Sequence, residues 1–80
     1  MKKIIIIGSD HNGTNQKVEI TKYLKNRGYV VIDIGNYNQK IKTDYNDIAH
    51  QLGSIVNQDL KKIMGILICG TGVGVNIVAN

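Results

Sequence analysis

The chain contains a single cysteine, Cys69. An internal disulfide is therefore excluded, and reducing conditions suit the lone thiol. Long apolar runs are also missing. Lys2 and Lys3 precede only Ile4 to Ile7 before Gly8-Ser9-Asp10 intervenes. A secretory signal needs roughly 7–15 apolar residues and a membrane span about 20. Neither is present, no membrane association is expected, and the expected location is the cytoplasm. Trp, Phe and Pro are absent. No aromatic residues interleave with the lysines, which argues against a nucleic-acid partner. One cysteine and scattered histidines make no metal-ligand cluster. His50 falls opposite much of the apolar face of its helix and is read as solvent-exposed, without a role.

What is there is modest in amount. Eighty residues form one small domain at most, and a chain of that size buries only about 60% of the surface its unfolded form exposes. Ten basic and six acidic side chains give a net charge of +4. The basic residues are spread along the chain and read as solubilising lysines with a mild pull on small anions.

Three apolar runs, Ile4 to Ile7, Tyr29 to Ile34 and Met64 to Ile68, read as buried strands. They are short, continuous and rich in β-branched residues, as parallel strands covered on both faces are. Helical patterns separate them. From about Thr14 to Arg27, Ile20, Tyr23 and Leu24 share a face, Thr14 or Asn15 can cap the start, and Gly28 suits a left-handed C-cap. In the second, Tyr45, Ile48, Ala49, Leu52, Ile55 and Val56 follow helical spacing behind Thr43 or Asp44 as N-cap. A third helix is expected to begin near Gly74. The order is thus β-α-β-α-β plus the opening of another helix, which implies a parallel sheet with right-handed crossovers. Gly35 to Lys42 reads as a polar loop.

If the strand order is 2-1-3, ligands belong beyond the carboxyl ends of the first and third strands, where the winding reverses. The two loops leaving those ends are the most chemically loaded segments in the chain. After the third strand, Cys69 precedes Gly70-Thr71-Gly72-Val73-Gly74. Closely spaced glycines let the backbone turn its amides inward, and a following helix N-terminus would add positive potential, so the loop should hold an oxyanion. A cysteine beside it should carry a larger thiolate fraction. A base next to N–H donors suits enolisation, and the same parts would serve a thiol nucleophile. An inert strand-end thiol is the plainer alternative. The glycines are spaced G-x-G-x-G, so the dinucleotide fingerprint fails.

After the first strand come Ser9, Asp10 and His11. Gly8 and Gly13 are spaced like the glycines of a P-loop, but Thr14 stands where lysine is required. His11 can donate to a phosphate, and Asp10 can accept from sugar hydroxyls. An Asx-type turn at the strand end accounts for the same residues.

Ser9-Asp10-His11, Asp44-Tyr45 and the run ILICGTGVG across Ile66 to Gly74 resemble the ribose-5-phosphate isomerase B and galactose-6-phosphate isomerase subunit family. The resemblance covers the whole chain in register. It implies a three-layer αβα sheet of Rossmann or flavodoxin type, and an aldose–ketose isomerase of sugar-phosphate metabolism such as the pentose phosphate pathway. By the same resemblance, Cys69 is the base that moves a proton between C1 and C2. Gly70, Thr71, Gly72, Val73 and Gly74 form the anion hole for the enediolate, with Thr71 assisting the thiol. Asp10 and His11 bind substrate, His11 towards the phosphate, and Tyr45 lines the sugar site. Family members are homodimers or larger, with sites at the subunit interface, and need neither metal nor organic cofactor.

Some residues depart from the pattern. Asn46 stands where the family often has proline. Thr14-Asn15 and Asn76 lean towards the galactose-6-phosphate subunit, whereas Asp44, Asp47 and Ala49 lean towards the pentose enzyme. Family members continue well beyond residue 80, through a part that brings a ring-opening histidine and phosphate-binding arginines. Residues 1–80 are accordingly expected to be the N-terminal part of a single isomerase domain, and inactive alone. Ribose 5-phosphate is the favoured substrate. A galactose-6-phosphate isomerase subunit and a non-catalytic phosphate-binding module remain the alternatives.

Overall fold

Isoleucine-rich segments become the central strands of one sheet. The structure, a computed structural model, describes residues 4–38, 40–59, 61–70 and 75–78, the last four by backbone alone. The elements are β1 (Ile4–Ser9), α1 (Thr14–Asn26), β2 (Val30–Asp33), α2 (Tyr45–Val56), β3 (Ile63–Ile68) and β4 (Val75–Val78). The sheet runs β2-β1-β3-β4. β1 pairs in parallel with both β2 and β3, Ile6 facing Ile32 on one side and Gly65 on the other. The 2-1-3 order, taken from the sequence only as a condition for locating the site, is present, and the carboxyl ends of β1 and β3 are neighbours.

Alternation along β1 divides the core. Ile6 joins Leu67 and the α2 stripe Ile48, Leu52 and Val56 on one face. Ile5 and Ile7 join Ile66 and Ile68 on the other, where Ile20 and Leu24 of α1 pack. The α2 stripe recurs every four residues, the spacing that keeps side chains on one helix face. Asp44 caps this helix by accepting from the Asn46 amide at 2.7 Å. At the end of α1, Gly28 has φ +87°. Its amide and that of Tyr29 donate to Lys25 and Leu24 carbonyls at 2.9 and 3.2 Å, closing a Schellman motif.

Four expectations are corrected. The segment expected to open a third helix forms β4 instead, antiparallel to β3, with Val75 opposite Ile68 and Val78 opposite Gly65. Val75, Ile77 and Val78 are β-branched, and the β3 edge offers unpaired backbone groups that a strand satisfies along its length. The side-chain cap expected at Thr14 or Asn15 is absent. Gly13 occupies the N-cap position, and Thr14 is the first helical residue. Cover on both faces holds for β1 but not for β2. Val30 and Ile32 are 58% and 48% exposed, because β2 is the sheet edge and α2 lies over β1 and β3. Tyr23, placed on the inner face of α1, is 55% exposed and instead lies against the Arg27 guanidinium, 4.7 Å from the ring centre.

Candidate active site

Asp10 stands at the carboxyl end of β1, and its carboxylate reaches three backbone amides. Oδ1 accepts from Asn12 at 3.1 Å and Gly13 at 3.0 Å, the Asx-type turn. Oδ2 accepts from Gly70, just beyond β3, at 3.5 Å. One side chain therefore joins the two loops named from the sequence. The approach is close enough to require glycine at residue 70, since a Cβ there would lie 1.8 Å from Asn12 Cβ. Cys69, half-buried, immediately precedes this contact. Thr71, Gly72, Val73 and Gly74 lie outside the described residues. The element that follows them is a strand, so the helix dipole expected behind the glycine loop is not available. The nearest helix N-terminus is that of α1, and Asp10 already supplies its negative charge.

His11 turns the other way, towards the residue before the α2 cap. Its Nδ1 lies 3.2 Å from both the Thr43 amide nitrogen and the Thr43 carbonyl oxygen. Tyr45, two residues on, opens α2 half-buried and packs against the Ile48–Leu52 cluster. Asp10, His11, Cys69 and Gly70 are thus brought to one end of the sheet, with Tyr45 reached through the Thr43 contact.

The segment after β2, read as a plain polar loop, is built around buried polar groups. Asn36 is 6% exposed. Its carboxamide donates to the Ile41 carbonyl at 2.8 Å and the Thr43 hydroxyl at 2.5 Å. Its Oδ1 accepts from the Thr14 hydroxyl and the Asn38 amide, each at 2.8 Å. Gly35, at φ +106°, holds a conformation that side chains disfavour, and its amide donates to Asp33 Oδ1 at 2.8 Å. Beneath it Lys17, read from the sequence as a solubilising lysine, is 1% exposed and ion-paired with Asp33. The Tyr37 ring lies 5.3 Å from its ammonium. The available signal was Asp33-x-Gly35-Asn36, a turn-forming triplet at the end of a strand. A hollow of about 280 Å³ lies between this loop and α2, with Asn36, Thr43, Ile48 and Gln51 in its wall.

His50 is exposed on α2, as expected. Among the described residues no group of three or more His, Cys, Asp or Glu could hold a metal ion, and no helix is long and apolar enough to cross a membrane.

Known proteins share this sequence pattern and fold. Ribose-5-phosphate isomerase B of Escherichia coli is 44% identical over 81 residues, covering 100% of this chain and 52% of that protein. Galactose-6-phosphate isomerase subunit LacB of Clostridium acetobutylicum is 36% identical over 77 residues, covering 96% of this chain and 43% of LacB. Among solved structures, ribose-5-phosphate isomerase B from Mycoplasma genitalium with bound ribulose-5-phosphate superposes with a TM-score of 0.81. It is 40% identical, and the match covers 92% of this chain and 49% of that one. The chain spans about half the length of the curated relatives it matches. The model of the Ribose/Galactose Isomerase family matches residues 5–80, and the chain belongs to that family.

Proposed function

We propose that this chain forms the N-terminal, proton-transferring part of a sugar-phosphate aldose–ketose isomerase domain acting on ribose 5-phosphate and ribulose 5-phosphate. The observation that carries the reading is the meeting of Asp10 and Gly70. It sets His11 and Cys69 at adjacent strand ends, where an open parallel sheet binds its ligand. The pentose reading is favoured over the hexose one by the higher identity to the ribose-5-phosphate enzyme, 44% against 36%.

In this reading the Cys69 thiolate takes the C2 proton of the open-chain aldose. The electron pair moves into a C1–C2 double bond, and the C1 carbonyl oxygen becomes the enediolate oxygen. Backbone amides of residues 71–74 are assigned to stabilise that charge, since the Gly70 amide is engaged with Asp10, with Thr71 beside the sulfur. The Cys69 thiol then returns the proton to C1. The O2 hydroxyl proton passes to O1 and the carbonyl re-forms at C2, so no atom is gained or lost. His11 meets the phosphate or a sugar hydroxyl through Nε2, since Nδ1 is engaged with Thr43. Asp10 acts by holding Gly70 in place, and Tyr45 borders the sugar. Ring opening and most phosphate binding are assigned to residues equivalent to the second half of the relatives.

The domain is proposed to work as a homodimer or larger, and the exposed apolar pair Val30 and Ile32 on the edge strand supports an assembly. To test the function, this chain is fused to the second half of the Escherichia coli relative and assayed with ribose 5-phosphate and with galactose 6-phosphate. Preferential turnover of the pentose is expected. Preference for the hexose would favour the subunit reading, and binding of both without turnover would favour a phosphate-binding module.

A further inference from the structure

Thr43 presents both an N–H and a C=O to His11 Nδ1, each at 3.2 Å. Nδ1 can accept from the first when bare and donate to the second when it carries a proton, so one residue orients the ring in either neutral tautomer and as the imidazolium. This holds only while the backbone at residue 43 is fixed, and residue 43 lies outside any helix or strand. What fixes it is Asn36. The buried carboxamide donates to the Thr43 hydroxyl and the Ile41 carbonyl, while its own oxygen is held by Thr14 at the start of α1. The Asn36 amide in turn donates to the Ser9 carbonyl at 2.9 Å, tying the same residue to the end of β1, two residues before His11.

We propose that Asn36 is the positioning residue for His11. Its carboxamide clamps Thr43 so that Nδ1 is held against the Thr43 backbone in either tautomer. Nε2 is thereby the nitrogen left to face a ligand. The last clause rests on the isomerase reading, whereas the orientation of the ring does not. Asn36 is assigned no substrate contact, because both ends of its carboxamide are spent on Thr14, Asn38, Ile41 and Thr43. A second-row hydrogen bond that fixes the orientation of a histidine ring is a general device of sites that use one ring nitrogen.

The chain has two histidines, and exposed His50 serves as the internal control. Ring nitrogen shifts are recorded by NMR at pH about 8.5, where an ordinary imidazole is neutral. Amide exchange at Thr43 is followed in parallel. In the parent chain the His11 ring nitrogen shifts are expected to differ from those of His50, because Nδ1 is hydrogen-bonded to Thr43, with the Thr43 amide protected. Asn36→Ala and the milder Thr43→Val should both bring the His11 shifts to those of His50. Thr43 exchange should then rise at least about tenfold, with the amide pattern of the sheet retained. Thr43→Ser, which keeps the hydroxyl, should restore the parent signature. Should Asn36→Ala unfold the chain, Thr43→Val alone decides. Unchanged His11 shifts and Thr43 protection in a folded variant would overturn the assignment. None of these readouts requires turnover, so failure of the isomerase assay leaves this test standing, and the reverse.

Discussion

Asp10 Oδ2 and the Gly70 amide nitrogen, sixty residues apart in sequence, lie 3.5 Å apart at the head of the sheet. With Asn12 and Gly13 on its other oxygen, the carboxylate gathers three amides from two loops. It does with a side chain what a bound anion would do, and it sets the spacing between His11 and Cys69.

Removing that carboxylate should loosen both loops. Hydrogen bonds to a charged group contribute about 1.5–3 kcal/mol each in favourable cases. Two of the donors here are at least half-exposed or long, so Asp10→Ala should cost about 1–3 kcal/mol in all. Urea unfolding measures this. The amides of Asn12, Gly13 and Gly70 should also exchange faster than those of β1. An unaltered midpoint with unaltered exchange would mean the carboxylate holds nothing.

Gly70→Ala should be worse tolerated than its size suggests. The added Cβ meets Asn12 Cβ at 1.8 Å and Asn12 backbone atoms at 2.7 Å, so the β1 loop itself must move. Overpacking of this kind typically costs about 1–3 kcal/mol. Removing only the Asn12 side chain, in Gly70→Ala with Asn12→Gly, should recover part of the loss and leave the rest, since the backbone clash remains. Full recovery would place the strain elsewhere.

Lys17→Met tests the buried ion pair. Stripping one partner from a fully buried pair costs about 3–5 kcal/mol. Asp33 is 29% exposed, so water can solvate the orphaned carboxylate and the loss should fall near or below the low end of that range. The Tyr37 ring over the ammonium would lose its cation as well. Thermal unfolding of Lys17→Met beside Lys22→Met, an exposed lysine on the same helix, separates the buried pair from general charge removal.

The parts of this fold that were legible in the sequence are those set by near neighbours. The spacing Ile48, Leu52, Val56, the cap at Asp44 and the glycine at residue 28 each act within one helix or its ends, and each is where it was expected. The parallel pairing of β1 with β2 and β3 followed because continuous β-branched runs alternate with helices, whereas the order 2-1-3 entered only as a condition that the structure meets. What stayed hidden depends on distant partners. Lys17 resembles any surface lysine until β2 brings Asp33 beneath it. Asn36 resembles any loop asparagine until Thr14 and Thr43 converge on its two ends. Val75 to Val78 followed a glycine-rich segment that fits a helix start, yet pairing with the open edge of β3 decided otherwise. For the site, the sequence marked Asp10, His11, Cys69 and Gly70, and three-dimensional placement added how Asp10 and His11 are spent: one on amides, one on Thr43.

Leu52 offers a check on the core. It is fully buried between β1 and β3, and Leu→Ala at such a position costs about 2–5 kcal/mol. In a chain this small that loss should unfold most molecules at room temperature, as read by far-ultraviolet circular dichroism. A folded Leu52→Ala variant with a near-parent midpoint would mean that α2 packs less firmly than its burial indicates.

The central claim is that Cys69 carries the proton between C1 and C2, and solvent-deuterium incorporation tests it most directly. Ribose 5-phosphate is incubated in D2O with the fusion of this chain to the second half of the Escherichia coli relative, and with its Cys69→Ala counterpart. Deuterium at C1 or C2 of the sugar is followed by NMR. Loss of a positioned proton-transfer group typically lowers rate about 10²–10⁴-fold. The account therefore predicts exchange in the parent fusion and at least a hundredfold slower exchange in Cys69→Ala, with ribose 5-phosphate binding largely kept. Exchange at the parent rate in Cys69→Ala would contradict it and remove the thiol from the mechanism.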